Sequence, residues 1–208
     1  MSADNTEMEE RIRAYHARMD MHEAATLLLE TYSRELFGFL VSRLRDREAA
    51  VEVFGVFSED LWRGLPNFRW QCSARAWAYA LVRHAATRYQ LHAHRQLARN
   101  VALTDASAFS DVAERIRTDT ALAFRTATKS RVAELREQLP LDDQTLLILR
   151  INRGLDWLEI ARIMTLGPDA ADGPALRTEA ARLRKRFQLT KESLRRMAQS
   201  AGILEGSQ

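Results

Sequence analysis

Apolar residues recur along much of this chain with the period of helices that bury one side. From His22 to Arg45 they fall at Ala25, Leu28, Leu29, Tyr32, Leu36, Phe39, Leu40 and Leu44, a single stripe. Asp46 stands where it can cap a second helix, whose stripe is Ala50, Val53, Phe54, Phe57 and Leu61 and which Gly64 and Pro66 end. A loop from Pro66 to Ser73 leads into a third helical stretch, Cys72 to His94. At about 100° per residue, Trp77, Ala80, Leu81, His84 and Leu91 share one arc of it, and Arg75, Tyr79, Arg83 and Gln90 the opposite one. The first arc is expected to pack and the second to face outward. Together these elements predict an antiparallel α domain over residues 1 to 97.

Beyond Gln96 the pattern thins, and the polar run around Thr104 to Asp111 predicts a linker over residues 98 to 129, partly helical after Asp111. A second helical domain is expected over 130 to 208. After Leu139-Pro140, Asp142 or Asp143 can cap a helix carrying Leu146, Leu147, Leu149 and Ile151 up to Gly154. Asp156 with Glu159 has the spacing of a capping box, opening a short helix with Leu158, Ile160, Ala161 and Ile163. Glycines and prolines from Leu166 to Pro174 interrupt the pattern, and Pro174 suits the first position of a long helix. On that helix Leu176, Ala180, Leu183 and Phe187 share a buried arc, while Arg177, Ala181, Arg184 and Lys185 face away. A helix, a short helix, a turn and a long basic helix make the outline of a helix-turn-helix. The fold class is therefore all-α, two small helical domains joined by a linker.

Charge changes this picture from packing to binding. The 208 residues carry a net +3, but the blocks 1–60, 61–100, 101–174 and 175–208 carry −6, +7, −3 and +5. No Asp or Glu occurs between Leu61 and Asn100, where seven arginines are interleaved with Trp62, Phe68, Trp70, Trp77, Tyr79 and Tyr89. Guanidinium groups suit phosphate, and flat rings stack on unpaired bases. Two basic blocks beside acidic ones point to two nucleic-acid surfaces and a further partner.

Other chemistry finds little footing. The single cysteine, Cys72, excludes an internal disulfide and a cysteine-based zinc site. His92 and His94 point apart on a helix, and His16, His22 and His84 have no ligand-like neighbours in sequence. No glycine-rich phosphate loop and no nucleophile motif is present. The expectation is a protein without catalytic residues, metal or cofactor. The charged N-terminus lacks the apolar core of a signal peptide and no run approaches a membrane span, so a cytoplasmic location without membrane insertion is expected.

Residues in both halves resemble the extracytoplasmic-function type of bacterial sigma factors. Trp77-Ala-Tyr79-Ala-Leu-Val-Arg83-His84-Ala is similar to the family's W-L-Y-R-I-A-R-N-x-A segment, with Ala50-Val-Glu52-Val53 and Leu61-Trp62 at its A-E-D-L and L-W positions. Leu139-Pro140, Arg150, Gly154-Leu155, Glu159-Ile160-Ala161, Thr178 and Arg182-Leu183 match marks of its C-terminal domain in order. The resemblance covers residues 25 to 197. It implies promoter recognition and DNA opening for transcription initiation, with core RNA polymerase and promoter DNA as partners and an anti-sigma factor as a further candidate. The second helix would dock on the polymerase clamp through Glu52, Val53, Phe57, Leu61 and Trp62. The loop and third helix would hold the opened −10 strand through Asn67, Arg69, Trp70, Arg75, Tyr79 and Arg83. The long basic helix would read the −35 duplex through Arg177, Thr178, Ala181, Arg182, Arg184 and Lys185. Gly55 and Val56 stand where the family has Gln and Glu, and Ala74 where it has Phe. The competing classes are a helix-turn-helix repressor acting without polymerase, which has no use for the aromatic-rich second basic block, and a protein adaptor that needs neither block.

Overall fold

The computed structural model describes residues 3–96, 131–166 and 173–203, and all its regular elements are helical among these. The residues assigned to the linker, 98–129, lie outside them, as do 167–172 in the turn before the last helix, Arg99, and the side chains of His92, His94 and Arg95. The chain divides into two compact units, one within 1–125 and one within 126–208. Among the described residues no helix is long and apolar enough to cross a membrane.

In the first unit, α1 (Ala3–Ala17), α2 (Met21–Leu44), α3 (Arg47–Gly64) and α4 (Ala74–Gln96) pack on one another. Helix α1 falls in the N-terminal segment, whose sequence is marked chiefly by its charges. Its thin apolar line, Met8, Ile12 and Tyr15, puts Ile12 fully inside the core. Helix α2 starts on Asp20, whose side chain accepts from the Glu23 backbone, and ends at Arg45 in the left-handed region. All of its expected stripe is buried except Leu44, which is half-buried. Asp46 caps α3 as expected, accepting from the backbones of Glu48 and Ala49, and the stripe Ala50 to Leu61 is buried. A single 3-10 turn, Leu65–Asn67, follows.

Helix α4 corrects the expected faces. Tyr79, assigned outward, is 0% exposed and meets Phe39 of α2 edge-on at 5.7 Å, whereas Leu91, assigned inward, is 55% exposed. His84, Arg88 and Leu91 form the exposed stripe. The physical reason is that α4 packs against α1, α2 and α3 together. Its many alanines allow close approach on several sides, so no single apolar arc marks the interior. Trp77 lies on the outer arc and is buried because the returning loop folds over it, Phe68 stacking on its ring at 4.7 Å with a 20° interplanar angle.

The second unit contains α5 (Arg131–Glu137), α6 (Leu141–Leu147, continuing as a wide π turn through Ile148–Asn152), α7 (Trp157–Ala161, continuing likewise through Arg162–Leu166) and α8 (Pro174–Ser200). Neither Asp142 nor Asp143 caps α6, since Pro140 precedes it without a side-chain bond. Asp143 instead pairs with Arg186 of α8 at 2.6 Å. The Gln144 amide closes the end of α5, donating to the carbonyl of its last residue, Glu137, at 3.3 Å and to that of Leu139 in the following turn at 2.7 Å. The capping box of Asp156 and Glu159 forms as expected, and Gly154 makes the preceding turn at φ +66°. Of the apolar residues these helices carry, Ile151 and Leu158 are exposed. The core joins Leu146, Leu147, Leu149, Ile160 and Ile163 to Leu176, Leu183 and Phe187 of α8.

Candidate nucleic-acid interface

The loop between α3 and α4 is fixed by α1. Trp70 Nε1 donates to His16 Nδ1 at 3.2 Å, which leaves His16 Nε2 to carry the proton and donate to the Leu65 carbonyl at 2.9 Å. One imidazole thus ties both ends of the turn. Trp70 sits at φ +54°, a left-handed conformation that costs a non-glycine residue about 1 kcal/mol or more. Its ring is tilted on Phe68 at 4.7 Å and carries the Arg13 guanidinium 5.6 Å from its centroid. Asn67 and Arg69 are exposed beside it, and Trp70 is half-buried.

Glu9 of α1 supplies the start of α4. One carboxylate oxygen accepts from the Ala74 backbone at 2.7 Å, and the other from the Arg75 backbone at 2.9 Å and the Tyr32 hydroxyl at 3.0 Å. A carboxylate at the first N–H groups of a helix, which have no acceptor one turn back within it, also meets the positive end of the helix dipole. Ser73 adds a bond from the Ala76 N–H to its hydroxyl. Burial, reinforced by the Glu9 charge, pushes the Tyr32 phenol well above its ordinary value of 10.0.

Of the residues expected on the opened-strand path, Arg75 and Tyr79 are occupied in the fold. Arg75 makes a two-pronged pair with Glu35 of α2 at 2.7 and 2.8 Å, with 11% of its side chain exposed, and lies over the Tyr32 ring at 6.0 Å. Arg88 pairs with Asp60 of α3, and Arg63 with Glu59. The carboxylates missing from residues 61–100 are therefore supplied by Glu35 of α2 and by Glu59 and Asp60 of α3. Gln90 accepts from Arg43 of α2 at 3.4 Å, and Arg83 is half-buried. Asn67 and Arg69 keep the exposure such a site needs, and Trp70 keeps part of it. Arg13 joins them from α1. The signal for it was the apolar spacing of Met8, Ile12 and Tyr15, too sparse to read as a packed helix among so many charges.

On α3, Val53, Phe57 and Leu61 are buried in the unit's own core and cannot form an outer docking surface. Glu52 is exposed, and Trp62 is half-buried with its ring edge-on to His22 at 6.4 Å. Val56, at 44% exposed, adds an apolar position to this outer side.

Helix α8 agrees with its expected faces throughout. Leu176, Ala180, Leu183 and Phe187 are buried, and Arg177, Thr178, Ala181, Arg182, Arg184 and Lys185 are all exposed. Arg177, Ala181 and Arg184 lie within about 60° of arc, and Arg177 to Lys185 span about 12 Å of the axis. Arg182 pairs with Glu179 one turn back at 3.5 Å. Among the described residues Arg177, Arg184 and Lys185 have no carboxylate partner, in contrast to Arg75 and Arg88 of α4. Among the described residues the exposed α8 surface thus carries three cations without carboxylate partners, with the small Ala181 between them. Comparison with protein-family models and with curated proteins finds no match to this chain.

Proposed function

We propose that this chain is a sigma-type subunit that directs core RNA polymerase to promoter DNA and assists its opening, with α7, the following turn and α8 acting as a helix-turn-helix that reads duplex DNA. The observation that carries the reading is the exposed face of α8: six residues expected to meet duplex DNA stand clear of the core, and three of their cations lack carboxylate partners among the described residues. An α-helix fits the major groove, where arginine donors match guanine acceptors and phosphates. The resemblance of both halves to sigma factors assigns the first unit to polymerase and to the opened strand. On that assignment the clamp meets the outer side of α3 at Glu52, Val56 and Trp62, backed by buried Val53, Phe57 and Leu61. The strand meets Asn67, Arg69 and Trp70 with Arg13, while Arg75 and Tyr79 hold the helix behind them.

The test is reconstitution. The purified chain is added to core polymerase stripped of its own sigma subunit, with genomic DNA as template. Transcripts from discrete start sites, together with a complex on gel filtration, are the expected result. No complex and no specific initiation overturns the reading. Tight binding to duplex DNA by a chain that forms no complex with polymerase would assign it instead to a repressor.

A further inference from the structure

Trp157 is the first residue of α7, and its backbone position is set by the capping box of Asp156 and Glu159 and by the Gly154 turn. Its indole is half-buried and meets Phe187 of α8 edge-on, with ring centroids 5.4 Å apart. Two guanidinium groups from different elements use this one ring. Arg150, from the π turn of α6, lies 4.9 Å from the ring centroid, and Arg184 of α8 lies 5.6 Å from it. Both distances are within the range in which the ring quadrupole attracts a cation. Arg150 is additionally anchored, since it donates to the Leu155 carbonyl at 2.7 Å. Arg184 has no carboxylate partner among the described residues, and the Trp157 ring is the contact that orients it.

We infer that Trp157 is a positioning residue for DNA binding: it holds Arg184, with Arg150 beside it, over the indole face in the orientation in which Arg184 meets a DNA phosphate. This inference rests on the duplex-reading role proposed above for α8. A free arginine on an exposed helix samples many rotamers, and ordering it on contact opposes binding. Seating its planar group on a rigid indole removes much of that opposition before the DNA arrives, while leaving the guanidinium N–H edges free to donate. Phe187 fixes the ring, so the orientation is transmitted from the core of the unit to its surface.

A double-mutant cycle tests this, in the complex with core polymerase and on the promoter duplex recovered by the transcription experiment. Trp157→Leu keeps an apolar side chain against Phe187 but removes the ring face, and should weaken duplex binding about three- to tenfold. Trp157→Phe keeps a ring face and should retain most of the affinity. With Arg184→Ala already in place, Trp157→Leu should cost nothing further, and the slope of log affinity against log salt should be the same in Arg184→Ala and in the double variant. Equal losses from Trp157→Leu with and without Arg184, or a loss in Trp157→Phe as large as in Trp157→Leu, would mean that Trp157 only packs the unit and would overturn the inference alone. A wild-type complex that binds no duplex DNA would overturn the function reading and this inference with it.

Discussion

Replacing Glu9 by Ala tests whether α1 belongs to the folded unit or merely leans on it. The substitution removes the acceptor for the Ala74 and Arg75 N–H groups at 2.7 and 2.9 Å and for the Tyr32 hydroxyl at 3.0 Å. Loss of a helix cap costs about 0.5–2 kcal/mol, and a buried hydroxyl left without its partner about 1–3 kcal/mol. Glu9 is only half-buried, so water recovers part of this, and a total of about 2–4 kcal/mol is expected. Glu9→Gln keeps an acceptor but not the charge and should cost about half as much. Thermal unfolding followed by circular dichroism should show a fall of about 4–8 °C for each kcal/mol in the transition of the unit holding α1 to α4. Hydrogen exchange of the Ala74 and Arg75 amides should accelerate in step. Adding Tyr32→Phe to Glu9→Ala should recover stability, because it removes the stranded hydroxyl. An Glu9→Ala chain within about 0.5 kcal/mol of wild type, with unchanged exchange at those two amides, would refute the view that α4 is capped from α1.

Arg177→Ala should weaken duplex binding by about 1–3 kcal/mol, read by gel-shift titration, while the melting temperature stays at the wild-type value because the residue is exposed. Arg75→Ala and Arg69→Ala should separate fold from surface: the first leaves Glu35 without its two-pronged partner and should destabilise the unit by about 2–3 kcal/mol in urea titration, whereas the second should leave stability unchanged. The Tyr32 phenol is raised in the folded state by burial and by Glu9, so it favours folding below its ordinary value of 10.0, and that contribution is lost as the pH climbs above this value. Alkaline unfolding monitored by tyrosinate absorbance should therefore begin above that pH and be blunted in Tyr32→Phe.

How much the sequence determined differed between the two units, and the reason is physical. Helix α8 is amphipathic and rests on its unit by one side, so the spacing of Leu176, Ala180, Leu183 and Phe187 was enough to assign its faces. The caps at Asp46 and Asp156 were equally legible, because a cap is made by residues two or three positions apart. Helix α4 is surrounded by three others, and its faces were decided by what those helices brought to it. An arginine-rich stretch without a single carboxylate reads as unopposed when pairs are sought along the chain. Glu35 and Asp60 answer Arg75 and Arg88 across the fold, at separations of 40 and 28 residues. The same holds for the cap that Glu9 lends to α4 from 65 residues away, and for His16 holding Trp70. Hydrophobic period and local capping are properties of neighbours in sequence. Which charges remain free to meet a ligand is a property of neighbours in space, and only the tertiary structure decided it.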